Sequence, residues 1–154
     1  MSELVLRWIE QDSEHYAAER ALRYEVLRKP LGMPLGSEEN AAEARCDHCV
    51  ALLDGVVVGC VLWLADADGP SASPPASRAG KLMQMAVAES MRGQDVGRRL
   101  VRELERKVAG DGVEVVRMHA RESALPFYEK LGYAVVSETF TEVGLPHRVM
   151  QRSL

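Results

Sequence analysis

The sequence predicts a mixed α/β fold in which one sheet is covered by helices. Apolar segments with the two-residue period of strands alternate along the chain with segments that have the period of helices. The length of 154 residues is typical of one domain, so we predict a single domain over residues 1–154. A hydrophobic fraction of 47% with 27% charged residues excludes disordered and collagen-like chains.

The first half of the chain is predicted to contain three strands and two helices. In order, these are a strand over Leu4–Ile9, a helix over Ser13–Lys29, a short helix over Ser37–Ala44, and strands over Cys46–Leu53 and Val56–Leu64. Asp12 or Ser13 is a suitable N-cap for the first helix, and Pro30 ends it. The dipeptide Asp54-Gly55 favours a tight hairpin turn between the two later strands.

The second half of the chain begins with a segment rich in Gly, Pro and Ser, 65–80, which we expect to be a mobile loop. The elements predicted after it are a strand over Lys81–Ala88, a helix over Val96–Ala109, a strand over Val113–Ala120, a helix over Glu122–Leu131, and strands over Tyr133–Phe140 and His147–Gln151. Gly110 and Gly132 end the two helices. The helix over Val96–Ala109 is expected to make a right-handed crossover, so the strands on either side should run parallel.

Charge and hydropathy exclude several classes of partner. Nineteen Lys and Arg against 23 Asp and Glu give a net charge of −4, so we expect no nucleic-acid partner. The longest nearly apolar run, Gly55–Ala65, is too short to cross a bilayer, so we expect no membrane partner. Glu3 and Arg7 interrupt the first apolar stretch, unlike a secretory signal. This interrupted pattern and the odd number of cysteines, three, together favour a cytoplasmic protein.

A Cys-x-x-Cys pattern, Cys46 to Cys49, raises the alternative of a metal-binding or redox protein. On a strand, however, residues three apart point to opposite faces, so the two thiols should diverge. No second ligand pair follows at metal spacing, and Cys60 lies on the next predicted strand. We therefore favour small apolar core cysteines and expect no metal cofactor, with the redox or metal protein kept as an alternative.

The segment between Ala88 and the crossover helix combines a strand end, a glycine turn and a helix start. Free amides converge at a helix N-terminus, and glycine lets a phosphate approach the backbone closely. Arg98 and Arg99 lie in the first helical turn, where a cation opposes the helix dipole unless an anion is bound. The alternative is that they are solvated and pair with carboxylates such as Glu103. The glycine spacing fits neither a P-loop nor a dinucleotide-binding turn.

Arg92–Gly97 resembles the Arg/Gln-x-x-Gly-x-Gly/Ala motif with which GNAT acetyltransferases hold the pyrophosphate of acetyl-coenzyme A. Met83–Val87 resembles the strand that precedes this motif, and Ala124–Tyr133 resembles a later motif of the same family. The segments 119–121 and 142–147 are similar to a branch of small family members with undefined acceptors. The resemblance implies a GNAT-like mixed central sheet of about six to seven strands, with helices on both faces.

The resemblance also implies acetyl-CoA as co-substrate, with no metal. The coenzyme-binding residues that it implies are Met85, Ala86, Val87, Arg92, Gly93, Gln94, Asp95, Val96, Gly97, Arg98, Ser123, Ala124 and Tyr128. One of them departs from the family pattern, because Asp95 replaces the middle glycine of the motif. Its carboxylate either repels the pyrophosphate or caps the helix, and we favour capping because Asp is a common N-cap.

Three residues are the main candidates for the catalytic groups, and two carboxylates are weaker ones. The resemblance implies that Tyr128 is the general acid for the leaving thiolate, the alternative being a tyrosine that only packs on the sheet. His119 and His147 are candidate bases because imidazole titrates near neutral pH, although a structural role is open for both. Glu25 and Glu142 are weaker candidates for the base.

The acceptor is expected to be a small-molecule amine. The segments that should border it are Arg23–Leu35 and the last turn, with Tyr24, Glu25 and Arg28 as candidate substrate-binding residues. The resemblance therefore implies an N-acetyltransferase that transfers an acetyl group directly to a primary amine. A non-catalytic acyl-CoA-binding sensor module is the alternative, and a homodimer is left open.

Overall fold

The computed structural model describes residues 3–65 and 78–154, and the predicted loop over 65–80 lies almost wholly outside them. The described residues contain β1 (Leu4–Ile9), α1 (Tyr16–Arg23), β2 (Asp47–Leu53), β3 (Val56–Ala65), β4 (Ala79–Val87), α2 (Val96–Gly110), β5 (Val115–Arg121), α3 (Leu125–Lys130), β6 (Ala134–Val135), β7 (Phe140–Glu142) and β8 (Leu145–Ser153). No helix among them has the length and apolarity needed to cross a bilayer.

The strands are hydrogen-bonded in the order β1-β2-β3-β4-β5-β8-β6, and β7 pairs with β8. Strands β4 and β5 are parallel, as the crossover helix predicts. The prediction of one strand over Tyr133–Phe140 is wrong, because the segment forms β6 and then β7. Ser137 interrupts it: its hydroxyl oxygen accepts the Val149 amide at 2.8 Å, which takes the place of a backbone acceptor.

The first helix differs from its prediction at both ends. It begins at Tyr16, and its N-cap residue, His15, makes no side-chain cap bond. Ser13 is not the cap, because its hydroxyl accepts the His15 amide within a turn that precedes the helix. After α1 the chain continues as a π-helical segment, Tyr24–Arg28, and a short 3₁₀ turn at Lys29–Leu31. π-Helical turns are rare, and the sequence pattern did not reveal this one.

The prediction of a helix over Ser37–Ala44 is wrong, since this segment consists of turns followed by a 3₁₀ turn at Glu43–Arg45. Asn40 competes with helix formation because its side-chain oxygen accepts the Ala42 amide at 2.8 Å. The neighbouring carboxylate, that of Glu43, accepts hydrogen bonds from α1 instead of contributing to a local helix.

Two compact units share the chain, and the first comprises Met1–Leu64 and Gln84–Lys107. Within it, β2 and β3 form the predicted hairpin, with positive φ at both Asp54 (51°) and Gly55 (78°). Gly59 on β3 lets α2 pack closely, since a Cβ there would lie 2.9 Å from a methyl group of Val96. This contact fixes the start of α2 against the sheet.

The second unit comprises Ala65–Met83 and Val108–Leu154. Its β5 pairs in parallel with the start of β4, over Ala79–Lys81, and pairs antiparallel with β8 along its whole length. Met118 and Met150 are buried and pair across β5 and β8. Gly132, with φ of +99°, follows α3 and ends it as predicted.

Candidate functional site

In the first unit, the glycine turn and the start of α2 present free backbone amides. Gly93 and Asp95 have φ of 79° and 69°, so the chain turns sharply before the helix. The first helical bond runs from the Arg99 amide to the Asp95 carbonyl, at 3.2 Å. The amides of 96–98 therefore precede the helical hydrogen-bond pattern and can donate to an anion.

Asp95 does not have the capping role that the sequence analysis favours. Its carboxylate does not cap the helix: both of its oxygens accept from the Arg98 guanidinium, at 2.8 and 2.9 Å from Nε. The hydrogen bond from Arg98 lowers the pKa of Asp95, so the carboxylate stays ionised at neutral pH. The turn thus carries an internal ion pair on exposed side chains, and the charge of Arg98 is shared between Asp95 and any bound anion.

The predicted coenzyme segment of β4, Met85–Val87, lies in the same unit. Ala86 is buried, whereas its two neighbours are partly exposed. Directly before it, Gln84 has φ of +46°, which departs from strand geometry. The Gln84 side-chain nitrogen donates to the Glu38 carbonyl at 3.0 Å, and this contact ties the bend in β4 to the loop that follows α1.

Tyr128 lies on α3 in the second unit and is 6% exposed. Its ring contacts those of Phe127 and Tyr133 edge-on, with centroids 4.9 and 6.0 Å away. Burial raises the pKa of the Tyr128 phenol, so the hydroxyl is protonated at neutral pH and can act as a donor. Ser123 and Ala124 form a 3₁₀ turn directly ahead of this helix.

The two candidate histidines share one carboxylate in the second unit. His119 Nδ1 lies 2.9 Å from one oxygen of Glu142, and His147 Nε2 lies 3.8 Å from the other. Burial alone would raise the pKa of Glu142, but the hydrogen bond with His119 and nearby positive charges outweigh it and lower the pKa. Glu142, a weaker candidate from the sequence, is thus the residue that joins the two histidines.

The two histidines differ in exposure and in their other partners. The His147 side chain is almost fully buried, and its Nδ1 lies 2.9 Å from the Leu145 carbonyl. Because a carbonyl only accepts, this Nδ1 carries the proton. The His119 side chain is one-third exposed, and its Nε2 has no hydrogen bond to any residue in 3–65 or 78–154. His119 is therefore the imidazole that a ligand can reach.

Lys81 belongs to the same group, and the sequence interpretation missed it. Its Nζ lies 3.2 Å from His119 Nδ1. Lys81 pairs with Arg117 across the parallel strands β4 and β5, so it stands beside His119 on one sheet face. Parallel strands were predicted, but their register follows from tertiary packing and could not be derived from spacing along the chain.

The candidate substrate-binding residues have structural partners. The Tyr24 hydroxyl donates to the Met33 carbonyl at 3.1 Å, and Arg28 Nε donates to the Ser37 carbonyl at 3.3 Å. Glu25 forms an exposed pair with a lysine one turn on. Tyr24 and Arg28 thus hold the loop after α1 in place, and a role in acceptor binding remains a prediction for all three residues.

A buried polar cluster in the first unit was not predicted. The Arg23 guanidinium donates to Glu19 at 3.2 Å and to both oxygens of Glu43 at 2.8 Å, and Glu19 also lies 2.9 Å from His48 Nδ1. One oxygen or nitrogen atom each from Glu19, Glu43 and His48 lies within 4.8 Å of the others, and Arg23 neutralises part of their charge. The i,i+4 spacing of Glu19 and Arg23 was the only local signal.

This cluster predicts a loss of stability in acid. Burial would raise the pKa of Glu43, but hydrogen bonds from Arg23 and Tyr16 outweigh it and lower the pKa from 4.5 to about 2. Between those values the unfolded chain binds a proton that the folded chain does not, so stability falls as pH falls. Because of Glu43, the free energy of unfolding measured in urea should be about 2 kcal/mol lower at pH 3 than at pH 7. Equal stability at pH 5 and pH 3 would contradict this role.

The cysteines are all buried free thiols, as the preferred interpretation of the Cys-x-x-Cys pattern predicts. Burial raises the pKa of Cys46 to about 11 and that of Cys49 to about 12, and it raises the pKa of Cys60 as well. Because the thiolate is the form that attacks disulfides and binds metals, these shifts disfavour both kinds of chemistry at neutral pH.

Comparisons with known proteins agree with the expected family. The model of the Acetyltransferase (GNAT) family matches residues 6–133. A Bacillus subtilis (strain 168) protein named uncharacterized N-acetyltransferase YjcF is 32% identical over 132 residues, which are 85% of this chain and 87% of that protein.

Solved structures agree in fold. An acyl-CoA N-acyltransferase from Pseudomonas aeruginosa has a TM-score of 0.78 at 20% identity and covers 99% of both chains. An aminoglycoside 6'-N-acetyltransferase complexed with coenzyme A has a TM-score of 0.74 at 17% identity, over 97% of this chain and 96% of that one. The predicted fold class is confirmed, and the chain belongs to the GNAT family of acetyltransferases.

Proposed function

We propose that this protein is an acetyl-CoA-dependent N-acetyltransferase that transfers the acetyl group directly to a primary amine of a small molecule. The observation that carries the proposal is the pairing of His119 with Glu142, in which a carboxylate orients a partly exposed imidazole. This arrangement supplies a base for an amine, which family membership alone does not provide.

The coenzyme is assigned to the turn before α2 and to β4. The amides of 96–98 donate to the pyrophosphate, with Arg98 adding positive charge. The main chain of Met85–Val87 pairs with the pantetheine arm as an added strand would, and the Val87 amide polarises the thioester carbonyl. The coenzyme A named for the similar aminoglycoside acetyltransferase structure supports this choice of ligand.

His119 is assigned as the base that deprotonates the acceptor. Two groups compete for His119 Nδ1, because Lys81 can only donate to it and Glu142 can only accept from it. We assign the tautomer in which Nδ1–H donates to Glu142, the shorter contact at 2.9 Å, and this leaves the lone pair of Nε2 to take a proton from the ammonium group. His147 is assigned a supporting role, because it is buried and lies against the second oxygen of the same carboxylate. The neutral amine then attacks the thioester carbon, its nitrogen releases a second proton to solvent, and the C–S bond breaks to leave the amide.

Tyr128 is assigned to the leaving group. Its protonated phenol donates a hydrogen bond, and then a proton, to the departing thiolate sulfur. The pKa of the phenol is raised by burial, and a thiolate that forms in the same apolar surroundings becomes more basic for the same reason. Transfer between the two groups therefore stays feasible.

Replacing Asp95 with glycine is expected to tighten acetyl-CoA binding. The substitution removes a negative charge from the phosphate turn, releases Arg98, and restores a residue that tolerates the φ of 69°. Because both side chains are exposed, the effect should be modest, roughly two- to fivefold in Kd by isothermal titration calorimetry. Asp111→Gly, at the far end of α2, is the matched control. Weaker binding by Asp95→Gly would contradict this account of the turn.

Replacing His119 with glutamine tests the assignment of the base. We expect kcat/KM for an amine to fall by roughly a hundredfold, and the residual activity to rise with pH because the free amine must then be supplied by solution. The measurement is the rate of coenzyme A release from pH 6 to pH 9, with His15→Gln as the control. A pH profile like that of the wild type would rule out His119 as the base.

A further inference from the structure

We infer that Gln84 is a positioning residue for acetyl transfer, whose side-chain amide holds the bend in β4 that aims the main chain of Met85–Val87 at the acetyl thioester. This role rests on the proposed function, to which it adds a residue that acts through the backbone following it. The contacts that carry it lie within the first unit, between the bend, the loop that follows α1 and strand β3.

The bend places a residue with a side chain in a conformation that side chains disfavour. Gln84 lies inside β4, yet it has φ of +46°, in the left-handed region. The other non-glycine residues that have positive φ in the described part of the chain all lie in turns: Asp54, Asp95 and Val143. A strand residue in this state returns to ordinary strand geometry unless its surroundings hold it.

Two contacts hold Gln84 in this conformation. Its side-chain nitrogen donates to the Glu38 carbonyl at 3.0 Å, whereas its side-chain oxygen has no hydrogen-bond partner within 3–65 and 78–154. The Cys60 thiol, on β3, lies 3.6 Å from the Gln84 carbonyl oxygen and can donate to it. The side chain is therefore fixed through its NH₂ group alone.

The group that accepts from Gln84 is itself held firmly. Glu38 is 3% exposed, and its carbonyl oxygen also accepts from Arg23 Nη2 at 3.1 Å. Its carboxylate accepts from Arg20 Nε at 2.8 Å and from the Gly36 amide at 3.0 Å. Both arginines belong to α1, so a helix and not only a loop fixes the anchor of Gln84. A fixed anchor can oppose relaxation of the bend.

The bend determines where the following amides point. Gln84 directly precedes Met85–Val87, the segment assigned to the pantetheine arm and the thioester carbonyl. Because each peptide group is planar, a change of φ at residue 84 reorients the amides that follow it. A misplacement of about 1 Å can cost roughly a hundredfold in rate. The amides of 96–98, assigned to the pyrophosphate, lie outside these contacts, so coenzyme affinity should change little.

Two substitutions separate positioning from packing. Gln84→Met keeps the length of the side chain but cannot donate, so the bend should relax. Gln84→Gly removes the side chain but tolerates positive φ, so the bend can persist. Gln11→Ala is the control, because it removes an exposed glutamine of the same unit that bonds only a neighbouring tyrosine.

The first measurement is infrared spectroscopy of bound acetyl-CoA that is isotopically labelled at the carbonyl. A hydrogen bond from the β4 main chain polarises the thioester, so its C=O stretch should be lower in frequency on the wild type than in solution. We expect this shift to be lost in Gln84→Met and largely retained in Gln84→Gly and in the control. If Gln84→Met does not fold, Gln84→Glu replaces it, since an ionised carboxylate of the same shape cannot donate either.

The second measurement compares turnover with binding. In Gln84→Met, kcat should fall roughly tenfold or more, while Kd for coenzyme A by calorimetry stays within about twofold of the wild-type value. Gln84→Gly should lose less kcat than Gln84→Met. The opposite order would show that the side chain only packs, and it would overturn the inference. An equal loss of kcat and of coenzyme affinity would overturn it as well.

The infrared measurement needs no amine, so it separates this inference from the proposed function. A wild-type shift that is lost in Gln84→Met would support the inference even if no amine were acetylated, a result that would contradict the proposed function alone. A shift retained in Gln84→Met would overturn the inference and leave the acetyltransferase intact. No shift in the wild type would also overturn it, because the β4 main chain would then not bind the thioester carbonyl.

Discussion

Replacing Tyr128 with phenylalanine is expected to lower kcat by a hundredfold or more, because the leaving thiolate loses its proton donor. The ring contacts with Phe127 and Tyr133 need no hydroxyl, so the fold should be retained. Coenzyme A release under saturating acetyl-CoA and amine measures kcat. A thermal melt of the variant checks that the protein is folded.

The matched control is Tyr133→Phe, which also removes a phenol from a buried ring of the same aromatic group. It should keep most of the activity, since we assign no proton transfer to Tyr133. Wild-type kcat in Tyr128→Phe would show that Tyr128 only packs against its neighbours. Water would then be the more reasonable proton source.

Replacing Arg23 with methionine is expected to lower the free energy of unfolding by about 3–5 kcal/mol. Arg23 is fully buried and donates to Glu19 and Glu43, so its removal leaves two buried carboxylates without their shared cation. This is the largest stability effect that we predict. Urea unfolding at pH 7 measures it.

Arg78→Met is the control, because Arg78 makes an exposed ion pair with Glu114 in which both side chains are about half accessible. Exposed pairs contribute little, so its unfolding curve should overlay that of the wild type. The free energy of unfolding of Arg23→Lys should lie between those of Arg23→Met and Arg78→Met, since a lysine keeps the charge but not the paired hydrogen bonds. A methionine variant as stable as the wild type would show that the cluster can be replaced by apolar packing.

Features that depend on neighbouring residues were predictable from the sequence. The hairpin at Asp54-Gly55 follows from the φ values that this dipeptide tolerates, and the end of α3 follows from Gly132. The prediction of a short helix over Ser37–Ala44 failed because a distant group acts on that segment in addition to the local Asn40 side chain. Glu43 accepts from Arg23, which is twenty residues away and outside any local window.

In the candidate site, too, some residues could be identified from the local sequence, whereas others depend on tertiary packing. His119 and His147 were named from their residue type and from their positions near strand ends. Their common carboxylate, Glu142, and the lysine beside His119 depend on how β5 pairs with β4 and β8. A register is set by packing of the whole sheet, so no spacing rule along the chain could have selected Lys81.

The measurement that tests the central claim most directly is detection of the acetylated product by mass spectrometry. Purified protein is incubated with acetyl-CoA and a panel of primary amines, while a parallel thermal melt reports whether acetyl-CoA binds. The account predicts a higher melting temperature with acetyl-CoA, and N-acetylated amine formed in equal amount to coenzyme A. Stabilisation by acetyl-CoA without product from any amine would contradict it and would favour a module that only binds acyl-CoA.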